Sequence, residues 1–150
     1  METKSPPKIL VATDFSEGSE VAIDRAIEMA KQSSAAVEII HVVELVEEFP
    51  FGTTHYEADY GALYARVDLE LSRRADRFRQ VGLPCTTKIV EGSASTEITA
   101  RGKDIGADLI VVGTHGRTGL AHAMLGSVAE RVVRRASCPV LTVPCSRKAA

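Results

Sequence analysis

The sequence predicts an α/β fold: an open, parallel five-stranded sheet with helices on both faces, a three-layer, Rossmann-like arrangement. Three observations lead there. Short apolar runs alternate with helical patterns from end to end, in the order βαβαβαβαβ, with no internal repeat or low-complexity linker. The runs are near-continuous in Val, Ile and Leu, as in strands covered on both faces, instead of alternating with polar residues. The chain has 150 residues, 45% hydrophobic and 25% charged, which fits a single domain, 1–150, with its core over about 7–144.

Residues 8–13, KILVAT, form the first strand. The segment DFSEGSEVAIDRAIEMAKQS is a helix, with Ser16 or Ser19 as its cap and Ala22, Ile23, Ala26, Ile27 and Ala30 as its buried stripe. Residues 36–43, AVEIIHVV, are the second strand. A helix over about 62–81 places Leu63, Val67, Leu71, Ala75 and Phe78 on one face and ends at Gly82 and Pro84. Its arginines, Arg73, Arg74, Arg77 and Arg79, read as a solvated face. The third strand covers 85–90 and leaves through Glu91-Gly92. A weaker helix over 94–105 is anchored by Ile98 and Ile105 and interrupted by Gly102. DLIVV, 108–112, is the fourth strand. After a glycine-rich loop, Ser127 opens a helix running through Ala136, with Val128, Ala129, Val132 and Val133 facing inward. Arg134 and Arg135 complement the dipole in its last turn. PVLTVP, 139–144, closes the sheet.

Several function classes are disfavoured at once. A net charge of −2 and a pI of about 6.1 make no electrostatic case for nucleic acid or an anionic membrane. No apolar run nears the roughly 20 residues that span a bilayer. METKSPPK lacks the apolar centre of a secretory signal, so a cytoplasmic location is expected. Cys85, Cys138 and Cys145 form an odd set without metal-ligand spacing and read as small strand-side residues and a free thiol. His115 and His122 lack a carboxylate partner at metal spacing and read as structural or solvent-facing. No metal ligand set is assigned. The stretch 47–61 concentrates Phe49, Phe51, Tyr56 and Tyr60 and reads equally as a lid, a partner surface or a mobile loop.

In open α/β sheets ligands bind beyond the carboxyl ends of the strands. Two strand ends carry unusual residues: Ala12-Thr13-Asp14, and Gly113-Thr114-His115-Gly116-Arg117-Thr118-Gly119 with Gly126-Ser127 further on. The glycines are expected to take positive φ and let the backbone approach a ligand. Ser127 begins a helix whose N–H groups and dipole attract phosphate, and the alternative is a plain loop capped by Ser127.

Gly113-x-x-Gly116, nine residues, then Gly126-Ser127 fits G-x2-G-x9-G-[S/T]. That loop resembles the ATP-binding loop of the universal stress protein family. KILVATDFSEGSEVAI, the IIHVV strand, ADLIVVGTHGRTGL and LGSVAERVVRRASCPVLTVP resemble further family blocks; only about 44–64 lacks a recognisable pattern. The resemblance implies strand order 3-2-1-4-5 and a nucleotide between strands one and four. It implies that Ala12, Thr13 and Val42 border adenine, with Asp14 on the ribose or on Mg²⁺. Gly113, Gly116, Gly126, Ser127 and Val128 would lie along the phosphates; Arg117 reads equally as a charged donor to them or as a solvated loop arginine. The implied ligand is ATP, with ADP or AMP as alternatives and Mg²⁺ alongside. The implied assembly is a homodimer through the strand 139–144.

The expected role is a stress-response sensor or regulator. No catalytic residue is assigned, and any ATPase activity is expected below about one turnover per minute, against a median near 10 per second for dedicated enzymes. A slow ATP hydrolase and a signalling domain acting through a protein partner are the alternatives. A dinucleotide oxidoreductase needs its glycine fingerprint after the first strand, where Asp14-Phe15-Ser16-Glu17 stands instead. A phospho-acceptor domain needs an aspartate after strand three and a lysine after strand five; Glu91-Gly92 and Pro144-Cys145 occupy those places.

Overall fold

The computed structural model describes residues 5–44, 60–115 and 124–145. Its elements are β1 (Lys8–Ala12), α1 (Glu17–Ser33), β2 (Ala36–Val43), α2 (Tyr60–Arg79), β3 (Cys85–Glu91), α3 (Ala94–Asp104), β4 (Leu109–Gly113), α4 (Ser127–Arg135) and β5 (Val140–Val143). The strands form one parallel sheet in the order β3-β2-β1-β4-β5. Fold class and strand order are therefore as expected from sequence.

Side-chain alternation along the strands builds two cores, one on each side of the sheet. Ile9, Val11, Val37, Ile39 and Val111 pack against Ala22, Ile23 and Ala26 of α1 and Leu71, Ala75 and Phe78 of α2. Leu10, Ile40, Ile110 and Val112 pack against Ile98 of α3 and Ala129 and Val132 of α4. Fully burying a Leu, Ile or Val contributes roughly 1.5–3 kcal/mol, so β1, apolar on both faces, anchors the molecule. The register puts it between both halves: Val11 lies opposite Ile39 of β2 and Val111 of β4.

Several local expectations change. Leu63, Val128 and Val133 are exposed and not inward-facing. Leu63 lies in the first turn of α2, a turn before its first buried residue, Val67. The short α4 reaches the sheet through one stripe, Ala129 and Val132, which leaves Val128 and Val133 at its sides. Ile27 is only partly buried. Gly102 does not interrupt α3; it is buried there, and a Cβ would come within 2.7 Å of the Ile110 side chain. The helix sits close enough to β4 that a larger residue there would have to displace the end of the Ile110 side chain. The arginines of α2 are not simply solvated. Arg74, 12% exposed, bonds Glu20 of α1 and Glu70, while Arg77 reaches Glu20 and Asp24, so the charges tie α2 to α1. Arg79 donates to the Cys85 carbonyl.

Cys85, Cys138 and Cys145 are free thiols, and burial pushes the Cys85 thiol up to about 11. Among the described residues no helix is long and apolar enough to cross a membrane.

Candidate functional site

The strand order reverses direction between β1 and β4, so the chain leaving these neighbours diverges and opens a crevice at the carboxyl edge of the sheet. Ala12, Thr13 and Asp14 end one wall; Gly113 ends the other; Val42 lies near the end of β2. The half-buried Ala12 and Val42 belong to the α3–α4 side, the same side as the start of α4. The residues expected to form a site are therefore gathered at one edge by topology, apart from Gly116 and Arg117, which lie outside the described residues, as do Gly119 and His122.

The turn after β1 is densely bonded. Asp14 Oδ1 accepts from the Ser16 amide at 3.0 Å and also from the Ser16 hydroxyl. Ser16 is the cap of α1, its Oγ accepting from the Ser19 amide at 3.3 Å. Ser19 is the other candidate from the sequence, but its hydroxyl donates to the Ser16 carbonyl at 2.9 Å. Asp14 thus supports the cap without being it, and its carboxylate is oriented before any ligand arrives. Thr13 is 5% exposed. Its amide donates to the Ile40 carbonyl at 3.0 Å, and its Oγ1 accepts from the Phe15 amide at 3.1 Å. With the Thr13 amide committed to β2, any backbone contact from Thr13 to a base would fall to its carbonyl, which the His41 ring also meets.

The β4 side is built from close backbone packing. A Cβ on Gly113 would come within 2.8 Å of the Gly18 carbonyl, and one on Gly18 would collide with the His115 carbonyl. A Cβ on Gly126 would lie 2.6 Å from the Thr114 carbonyl, which the Gly126 amide bonds at 2.7 Å. Neither Gly113 nor Gly126 has positive φ; Gly126 is extended, with φ −60° and ψ 155°. These glycines therefore serve backbone-to-backbone approach in place of the expected left-handed turns. Gly126, not Ser127, is the N-cap of α4, and the helix start has no side-chain cap. Ser127 is the first helical residue and is exposed. The outward N–H groups of the first turn, at Ser127, Val128 and Ala129, are donors with no carbonyl of their own helix to bond.

Such an edge fits a nucleotide in kind. Helix N–H groups and a positive dipole end suit phosphate oxygens, an oriented carboxylate suits sugar hydroxyls, and the apolar Ala12 and Val42 suit a base. No group of three or more His, Cys, Asp or Glu side chains placed to hold a metal occurs among the described residues.

Two residues at this edge escaped the reading of the sequence. His41 is 7% exposed, and its Nδ1 lies 2.8 Å from the Thr13 carbonyl oxygen. Its ring stacks on Phe15, with centroids 4.4 Å apart and planes inclined by 20°. Phe15 holds φ at 65°, uncommon for a bulky residue, and the Arg74 guanidinium sits 4.7 Å from its ring centroid. The legible signal was a histidine next to Val42 within the apolar run IIHVV.

The fold is that of a doubly wound α/β protein with its switch point between β1 and β4. The universal stress protein family profile matches residues 7–144. Universal stress protein MJ0531 of Methanocaldococcus jannaschii is 36% identical over 145 residues, covering 94% of this chain and 84% of that protein. The solved structure of protein MJ0577, from the same organism, superposes with a TM-score of 0.80 at 31% identity, covering 97% of this chain and 99% of that one. A universal stress protein solved in complex with cAMP superposes with a TM-score of 0.72 at 27% identity, covering 93% and 98%. The chain belongs to the universal stress protein family.

Proposed function

We propose that this chain is a regulatory protein that binds an adenine nucleotide, ATP in the first instance, in the crevice between β1, β4 and the start of α4. The uncapped N-terminus of α4, next to the ends of β1 and β4, is the observation that carries the reading. The family's cAMP-bound member supports an adenine ligand. Asp14 would take the ribose hydroxyls, Ala12, Thr13 and Val42 would border the base, and Ser127 and Val128 would offer backbone donors to phosphate. Gly113 and Gly126 act indirectly, by letting the two walls close on each other. Gly116 and Arg117 complete the proposed loop, and Mg²⁺ would accompany a triphosphate. A regulator is preferred to a fast enzyme because Asp14, the carboxylate at this edge, is assigned to the ribose end and not to the phosphates.

The chain is further proposed to act as one cytoplasmic domain that pairs with its own copy along β5. β5 is an edge strand, and Val140 and Thr142 turn their backbone groups away from β4 under the observed register. Val143 is already buried at 6% exposure within the monomer, so the pairing would rest on the backbone of the strand. Thr142→Pro removes an outward N–H and leaves the β4 ladder intact, so light scattering should shift from dimer to monomer.

Mass spectrometry of nucleotide released from protein purified without added ligand tests the main reading. Stoichiometric adenine nucleotide is expected. Failure of ATP, ADP and AMP alike to co-purify or to bind on addition would refute it.

A further inference from the structure

Four polar residues are buried among the described ones: Thr13, Ser19, His41 and Ser95. Three of them meet behind the end of β1, although burying polar groups is costly unless every one is bonded. Along β2, Glu38, Ile40 and Val42 face the α3–α4 side, Glu38 through its pair with Arg101 of α3. His41 therefore projects to the opposite side, with Ile39 and Val37. It stands behind Thr13, away from the side on which Ala12, Val42 and the start of α4 gather.

We propose that His41 is a positioning residue for the nucleoside end of the crevice, acting through Thr13 and Phe15 without touching the ligand. This rests on the nucleotide reading above. A carbonyl oxygen only accepts, so the 2.8 Å contact assigns a proton to Nδ1, which donates to Thr13. The bond fixes the direction of the one Thr13 backbone group not committed to the β2 ladder or to its own turn. The stacked imidazole meanwhile supports Phe15 in a backbone conformation that bulky residues rarely adopt. Phe15 lies between Asp14 and Ser16, so its backbone conformation brings the Asp14 carboxylate against the Ser16 amide and hydroxyl that hold it. One side chain thus holds both the residue bordering the base and the residue facing the sugar. Arg74, packed on the Phe15 ring and paired with Glu20, braces the same turn from α2.

Two variants separate the two contacts. His41→Phe keeps a ring to stack on Phe15 and loses the donor; His41→Asn keeps a donor near the Nδ1 position and loses the ring. Losing a buried hydrogen bond that aims a ligand contact corresponds to roughly tenfold in affinity. Calorimetry with AMP, ADP and ATP, on variants shown by thermal unfolding to be folded, should give the same roughly tenfold loss for all three with His41→Phe. Binding stoichiometry should be unchanged, and His41→Asn should recover most of the affinity. Wild-type affinity in His41→Phe, or a loss that grows with the number of phosphates, would overturn the inference alone. A wild-type chain that binds none of the three would overturn the nucleotide reading and this inference with it.

Discussion

Two helices begin at the carboxyl edge of the sheet, and they begin in opposite ways. α1 starts in a turn where Ser16 caps the Ser19 amide and the Asp14 carboxylate sits on the Ser16 amide, so an anion approaching this start meets a like charge. α4 starts at Gly126 with no side-chain cap, and Ser127 and Val128 of its first turn are exposed. On the proposed reading, that difference assigns the two ends of the ligand. A satisfied turn with an oriented carboxylate presents an acceptor, which suits hydroxyl groups. An open helix start presents donors and a positive dipole end, which suits phosphate. Both are held in register by glycines at 18, 113 and 126, which let α1, β4 and the start of α4 approach backbone to backbone.

Breaking that shared support should have the largest effect. Gly18→Ala drives a methyl group into the His115 carbonyl, and backbone atoms cannot swing away. It should cost on the order of 2–3 kcal/mol of stability, read by chemical unfolding. Gly106→Ala is the control, strained by its φ of +62° but with open space around it, and should cost only about 1 kcal/mol. The comparison between the helix starts is tested by charge. Ser127→Glu puts a carboxylate at the first position of α4, where it is neutral or mildly favourable for the helix but opposes a bound phosphate. ATP affinity should fall by about tenfold or more, and AMP affinity by less, in a calorimetric titration. The smallest effect belongs to the capped start. Ser16→Ala removes the α1 cap and should lower stability by about 1 kcal/mol. Through loss of the Asp14 contact it should weaken AMP and ATP by similar, few-fold factors.

Much of this was legible in the sequence. Strands such as LIVV and IIHVV could be read because a buried parallel strand is apolar on both faces, and the order of elements then left few topologies. The carboxyl-edge location of Asp14, Gly113, Gly126 and Ser127 followed from the same reasoning. What could not be read depends on contacts distant in sequence. Gly102 and Gly126 read as breaks or left-handed turns; only the positions of Ile110 and the Thr114 carbonyl reveal them as close-approach sites. Arg74 and Arg77 read as solvated until α1 brings Glu20 and Asp24 across more than fifty residues of chain. His41 lies 28 residues from the carbonyl it bonds, and its partner Phe15 sits in a turn whose backbone conformation no local pattern announces. The faces of short helices were also overread: α4 buries two residues where its apolar composition indicated four.

The proposed location of an adenine nucleotide is the carboxyl edge, phosphates toward the start of α4 and nucleoside toward the end of β1. Titrating the isotopically labelled chain with ATP and then with AMP, while following backbone amide resonances, tests it directly. The account predicts shifts at Thr13 to Ser16 with both nucleotides, and shifts at Ser127, Val128 and Ala129 that are larger with ATP than with AMP. The amino edge of the sheet, where Lys8, Ala36, Glu38 and Thr86 line a shallow cleft, should stay unchanged. Shifts confined to that amino edge, or equal movement at α4 with both nucleotides, would contradict it.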